Sequence, residues 1–191
     1  MARRFEISLA GSGGQGVITA AVMIGEAASI FCDGLYAVQT QSYGPEARGG
    51  SAKAEVVISD EPIDYPKPVS PDLMICLTGA ASDKYSHDVN HNGRLILDSF
   101  AVQEMPDIDA NLYQLPIIET AREKIGREIV TNMVALGMVA RVLELEGFMK
   151  PEAVRKAMLD RVPKGTEELN SKAFDEGYAL FKNSQSMHFG N

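Results

Sequence analysis

Phe5-Glu6-Ile7-Ser8-Leu9-Ala10 alternates apolar and polar residues, then breaks abruptly into Gly11-Ser12-Gly13-Gly14-Gln15-Gly16. From Val17 to Phe31 apolar and small residues return at helical spacing. A period of two that gives way to a helical one across glycines reads as strand, tight turn, helix. Further along, Leu35 to Thr40 and the β-branched Ala52 to Ser59 read as strands. Leu73 to Thr78 is a continuous apolar run, as expected of a strand covered on both faces. Ala80 to Val89 reads as a short helix stopped by Asn90-His91-Asn92-Gly93, and Arg94 to Leu97 and Leu112 to Ile117 read as two more strands.

From Thr120 to Leu145 the apolar residues Ile125, Ile129, Met133, Leu136, Ala140 and Leu143 predict one long helix ended near Gly147. Pro151 opens another, to about Arg161, and Thr166 is placed to cap a last one with Glu167 and Glu168 at its positive end. Strands alternating with helices predict a single domain over residues 1–191. It is an α/β, three-layer, Rossmann-like fold with a mostly parallel sheet and helices on both faces.

The 191 residues carry 18 Lys and Arg against 26 Asp and Glu, a net charge of −8, which argues against a nucleic-acid footprint. No run approaches the roughly 18 apolar residues that span a bilayer, and Gly11 interrupts the apolar start too early for a signal peptide. The expectation is a cytoplasmic chain without membrane or nucleic-acid partners. Cys32 and Cys76 stand far apart with no CxxC spacing. Two isolated thiols in that compartment predict buried hydrophobes rather than a disulfide or a cluster site.

Gly11 to Gly16 matches G-x-G-x-x-G in its proper strand-to-helix context. Such a turn brings a phosphate or another backbone close to free N–H groups at a helix start. A dinucleotide site also needs an acid near the end of the second strand, and Val38-Gln39-Thr40-Gln41 supplies none. A self-sufficient nucleotide-dependent oxidoreductase therefore reads poorly. A glycine turn facing a ligand or partner, and one serving only close strand–helix packing, both stay open. His87-Asp88-Val89-Asn90-His91 imitates a zinc-protease motif but lies in a helix-ending sequence, so exposed histidines are expected. Asp98 closes a buried strand, where either a functional group or a turn cap belongs.

The stretch Gln41-Ser42-Tyr43-Gly44-Pro45-Glu46-Ala47-Arg48-Gly49-Gly50 combines rigid, flexible and strongly polar residues. Its Arg48 fork suits a carboxylate or phosphate, or a simple ion pair.

These two stretches, together with Glu55-Val56-Val57-Ile58-Ser59-Asp60, Ile63-Asp64-Tyr65-Pro66, Pro71-Asp72, Asn132-Met133-Val134-Ala135-Leu136-Gly137 and Gly165-Thr166-Glu167-Glu168-Leu169-Asn170, run in order along the chain. Together they resemble the gamma subunit of 2-oxoacid:ferredoxin oxidoreductases. The likeness is greater to the 2-oxoglutarate branch than to the pyruvate, 2-oxoisovalerate or indolepyruvate branches. It implies a multi-subunit enzyme that decarboxylates a 2-oxoacid, uses CoA as co-substrate and passes electrons to ferredoxin. Thiamine diphosphate, magnesium and iron–sulfur clusters are then expected in the partner subunits, with none bound by this chain alone. The active-site-completing candidates are Gly11, Gly13, Gly14, Gln15, Gly16, Ser42, Tyr43, Gly44, Pro45, Glu46, Arg48, Gly49 and Asn132. Arg48 is the expected anion contact, and Asn132 either faces the same junction or satisfies a neighbouring backbone group. The rival reading is a bracing module with no residue near substrate.

Overall fold

The computed structural model describes residues 3–43 and 51–187. Six strands, β1 (Arg4–Ser12), β2 (Tyr36–Tyr43), β3 (Ser51–Ser59), β4 (Leu73–Cys76), β5 (Arg94–Asp98) and β6 (Asn111–Leu115), form one sheet in the order β2-β3-β1-β4-β5-β6. β1, β4, β5 and β6 are parallel neighbours, while β3 runs against both β1 and β2. The sheet is mostly parallel, with one reversed strand. Only residues 44–50 join β2 to β3. That is shorter than the dozen or so residues a parallel crossover needs, so the chain has to double back.

Strand alternation sorts the side chains between two faces. Phe5, Ile7 and Leu9 enter the larger core under α1 (Val17–Phe31), α4 (Thr131–Leu145), α5 (Pro151–Arg161) and α6 (Glu167–Lys182). Ala10, Met74, Cys76, Leu95 and Leu97 line a smaller core on the other face. That face is covered by the seven-residue α2 (Gly79–Tyr85), a 3-10 turn at Ser86–Asp88 and the chain around Val102. Helices lie on both faces, as the alternation predicts, but the two layers are unequal.

The long helix expected over Thr120 to Leu145 is broken. The short α3 (Ile117–Glu119) runs into a π turn at Thr120–Lys124, Gly126 adopts φ 79, and a 3-10 turn at Glu128–Val130 precedes α4. The left-handed glycine shifts the helical phase, so Ile129, expected inward, is 80% exposed. Where α4 crosses α6, a Cβ on Gly137 would stand 2.0 Å from the Phe174 carbonyl oxygen, and one on Gly177 1.9 Å from that of Val134. The two helices therefore touch backbone to backbone.

Smaller expectations divide. α2 stops at Tyr85, short of Val89. Thr166 precedes α6 without capping it: its hydroxyl donates to the Pro163 carbonyl instead. Cys76 is buried, whereas Cys32, just beyond the end of α1, is only half-buried. His87 and His91 are exposed, as expected. No helix among the described residues is long and apolar enough to cross a membrane.

Candidate functional site: the rim at the carboxyl ends of the strands

Because β3 opposes both β1 and β2, those two strands point the same way as β4, β5 and β6. Their carboxyl ends share one rim, where open α/β sheets bind ligands. Register brings the two glycine stretches together there. Gly11 pairs with Ala52 and Ser12 with Ser51, while Tyr43 pairs with the same Ala52. The glycine turn thus stands beside both stems of 44–50. Ser42 is exposed and Tyr43 closes β2, whereas Gly44, Pro45, Glu46, Arg48 and Gly49 lie outside the described residues.

The turn itself is held from within. Gln15 N–H donates to the Ser12 carbonyl at 3.2 Å, and the Gln15 side-chain oxygen accepts the Ser12 N–H at 2.8 Å. Gln15 is therefore a strut of the turn. Gly16 precedes α1 at φ 70, ψ 20, a left-handed conformation, and no side chain caps the helix. A Cβ at Gly16 would meet Asn132 Nδ2 at 2.4 Å. Gly13 and Gly14 are exposed, so the turn and the uncapped start of α1 present amide groups to an approaching carboxylate, phosphate or carbonyl.

Asn132, at the start of α4 and nearly buried, donates from Nδ2 to the Gly16 carbonyl at 3.3 Å. Of the two readings of this residue, the structure shows the second: it satisfies a neighbouring backbone group. Asp98 is fully buried and accepts from Phe100 N–H (3.0 Å), Ala101 N–H (2.8 Å) and Ile118 N–H (2.8 Å). Its role is to cap the turn. Thr78 likewise caps α2 through the Ala81 N–H.

With these side chains committed to backbone, the rim exposes apolar ones. Phe100 is 60% exposed under the Arg122 guanidinium, 5.1 Å from its ring centroid, and Ile129 projects beside the start of α4. Sequence reasoning missed both. A phenylalanine directly after a strand-closing Asp-Ser was the available signal for the first, and Gly126 for the second.

No group of three or more metal-ligating side chains occurs among the described residues, and burial pushes the Cys76 thiol up to about 12. The described rim residues do not fit a magnesium–diphosphate site, since Asp98 is already spent. At the opposite end of the sheet a cavity of about 500 Å³ is lined by Arg3, Arg4, Asp72, Arg94, Glu146 and Phe148, among others.

A family model described as pyruvate ferredoxin/flavodoxin oxidoreductase matches residues 6–180. The chain belongs to that family. Within it, the chain is 49% identical over 181 residues to the 2-oxoglutarate synthase subunit KorC of Methanocaldococcus jannaschii, covering 94% of this chain and 95% of that one. Among solved structures it is similar to the gamma subunit of a keto/oxoacid ferredoxin oxidoreductase from Geobacter sulfurreducens. The TM-score is 0.86 and the identity 45%, covering 96% of this chain and 99% of that one. The same fold recurs in the 2-oxoglutarate:ferredoxin oxidoreductase of Magnetococcus marinus, solved with 2-oxoglutarate, coenzyme A and succinyl-CoA bound. There the TM-score is 0.83 at 23% identity, and the match covers 98% of this chain but 32% of that one. The family resemblance read from the sequence is borne out.

Proposed function

We propose that this chain is the gamma-type subunit of a cytoplasmic 2-oxoglutarate:ferredoxin oxidoreductase. Such a complex converts 2-oxoglutarate and CoA to succinyl-CoA and CO2 while two electrons pass to ferredoxin. Near-full-length likeness to 2-oxoglutarate synthase subunits supports the substrate class over the pyruvate, 2-oxoisovalerate and indolepyruvate alternatives. Thiamine diphosphate, magnesium and iron–sulfur clusters held by the partner subunits supply the decarboxylation and the electron transfer.

This chain completes the pocket from its rim. The observation that carries this reading is the register: Gly11 and Tyr43 flank the same Ala52, so the glycine turn stands beside the strand ends that lead into and out of residues 44–50. The amides of the turn and the Arg48 fork receive an anionic group of substrate or CoA, and Gln15 and Asn132 keep the turn in shape. Positioning of this kind raises turnover without placing a reacting group on the chain.

The test is reconstitution with the thiamine-binding and cluster-bearing subunits, following 2-oxoglutarate- and CoA-dependent reduction of a dye. Arg48→Ala is expected to lower turnover at least about tenfold while the complex still assembles, the loss of one charge-assisted contact. Unchanged assembly and unchanged turnover would overturn the reading. The bracing alternative draws on one observation, the commitment of Asp98, Asn132 and Thr78 to backbone. It requires that rim variants act on assembly alone.

A further inference from the structure

β2 stands at one edge of the sheet, and its ladder to β3 runs residue for residue from Tyr36 against Ser59 to Tyr43 against Ala52, without a bulge. About half of its backbone N–H and C=O groups therefore point away from β3. Edge strands are normally shielded by charges, proline, a bulge, shortness or a covering segment. Tyr36-Ala37-Val38-Gln39-Thr40-Gln41-Ser42-Tyr43 has no charged residue and no proline. Among the described residues its strand partner is β3 alone. The other edge is treated differently. β6 has five residues, and Met187 bridges to Leu112, donating its N–H to the Leu112 carbonyl at 2.8 Å. On β2 the Thr40 carbonyl accepts Gln39 Nε2 at 2.9 Å, a local side-chain bond that an incoming strand can replace.

We propose that β2 pairs antiparallel with the β2 of a second copy of this chain, joining the two sheets edge to edge. An uncharged strand is its own complement. Although the chain carries a net −8, this edge brings no like charges together. A two-fold axis normal to the sheet through Thr40 keeps the helical layers of both copies on the same side. It sets Thr40 against Thr40 and Gln39 against Gln41, pairs that favour a ladder. Nearby, Ile30 at the end of α1 and Tyr36 at the start of β2 are 65% and 48% exposed. The dimer does not depend on the enzymatic role above.

Light scattering after size exclusion, run on the purified full chain over a range of concentrations, tests it. The wild type is expected at twice the chain mass at its upper concentrations. Thr40→Lys places two ammonium groups at the axis and is expected to weaken the dimer at least tenfold, while Thr40→Val retains it. Circular dichroism melting checks that each variant folds, and the exposed Gln41→Lys serves should Thr40→Lys not fold. A wild type that stays monomeric at every concentration, or that forms only polydisperse aggregates, overturns the proposal. So does a lysine variant that dimerises like the wild type. A monomeric wild type whose assembly with the other oxidoreductase subunits is blocked by Thr40→Lys also overturns it, because the edge then belongs to a partner's strand.

Discussion

The two ends of one sheet are built on opposite plans. At the amino end charged side chains pair with one another and with distant backbone. Arg4 Nε donates to Glu6 Oε1 at 2.7 Å, and Glu6 Oε2 accepts the Val69 and Ser70 N–H groups at 2.7 and 3.1 Å. Arg94 pairs with Glu146 at 2.7 Å, Arg3 donates to the Glu146 carbonyl, and its guanidinium lies 4.5 Å from the centroid of the Phe148 ring. At the carboxyl end the polar side chains serve the chain's own backbone. Asp98, Asn132, Gln15 and Thr78 each hold a turn or a helix start, leaving Gly13, Gly14, Phe100 and Ile129 facing outward. At the amino end the charges are spent on one another and on backbone around the cavity they line. The carboxyl end is a preformed surface, rigid beneath and open above, which suits it to meet catalytic groups held elsewhere.

The largest effect that would break this contrast belongs to Asp98. Asp98→Ala leaves three N–H groups without their acceptor, that of Ile118 fully buried and those of Phe100 and Ala101 partly so, and urea unfolding is expected to show a loss of about 3 kcal/mol. A loss below about 1 kcal/mol would mean that the rim is not organised by this carboxylate. Next comes Gly16→Ala, which combines a left-handed backbone with a clash against Asn132 and should cost about 1–3 kcal/mol. In the reconstituted complex it is expected to depress turnover. Arg4→Ala, at the far end, should cost about 1–2 kcal/mol and leave turnover as it was. Equal effects of the two on turnover would erase the distinction between the ends.

The smallest effect is a pH dependence at the amino end. Burial raises the Asp72 carboxyl above its ordinary 3.8, against the Glu6 N–H that it accepts, and the Glu6 charge raises it further. The folded chain then takes up that proton at a higher pH than the unfolded chain does. At neutral pH the ionised Asp72 subtracts from stability, and the deficit shrinks as pH falls through the raised value, disappearing below 3.8. Asp72→Asn is expected to flatten the stability–pH curve in that window. An unchanged slope in urea titrations at successive pH values would assign the dependence to another group.

Much of this was legible in the residues. Val17–Phe31 and Pro151–Arg161 were bounded correctly because glycine and proline punctuate the chain locally and the helical period lies between them. The candidate site was legible as two glycine-bearing stretches plus Asn132, but not as one surface. Asn132 and Gly16 stand 116 residues apart, and nothing in either neighbourhood announces their hydrogen bond. The exposure of Ile129 was hidden because apolar spacing over Thr120 to Leu145 continues smoothly through a glycine that in fact turns left-handed.

What the amino-acid order determined alone was the strand–turn–helix opening, the alternation of elements and the family, since periodicity and turn chemistry act over a few residues. Tertiary structure decided the meeting of Gly11 and Tyr43 across Ala52, the bond from Asn132 to Gly16 and the reach of Asp98 to the Ile118 amide. Those depend on which distant backbones come within hydrogen-bonding reach, and that distance is a property of the packed sheet rather than of any local segment.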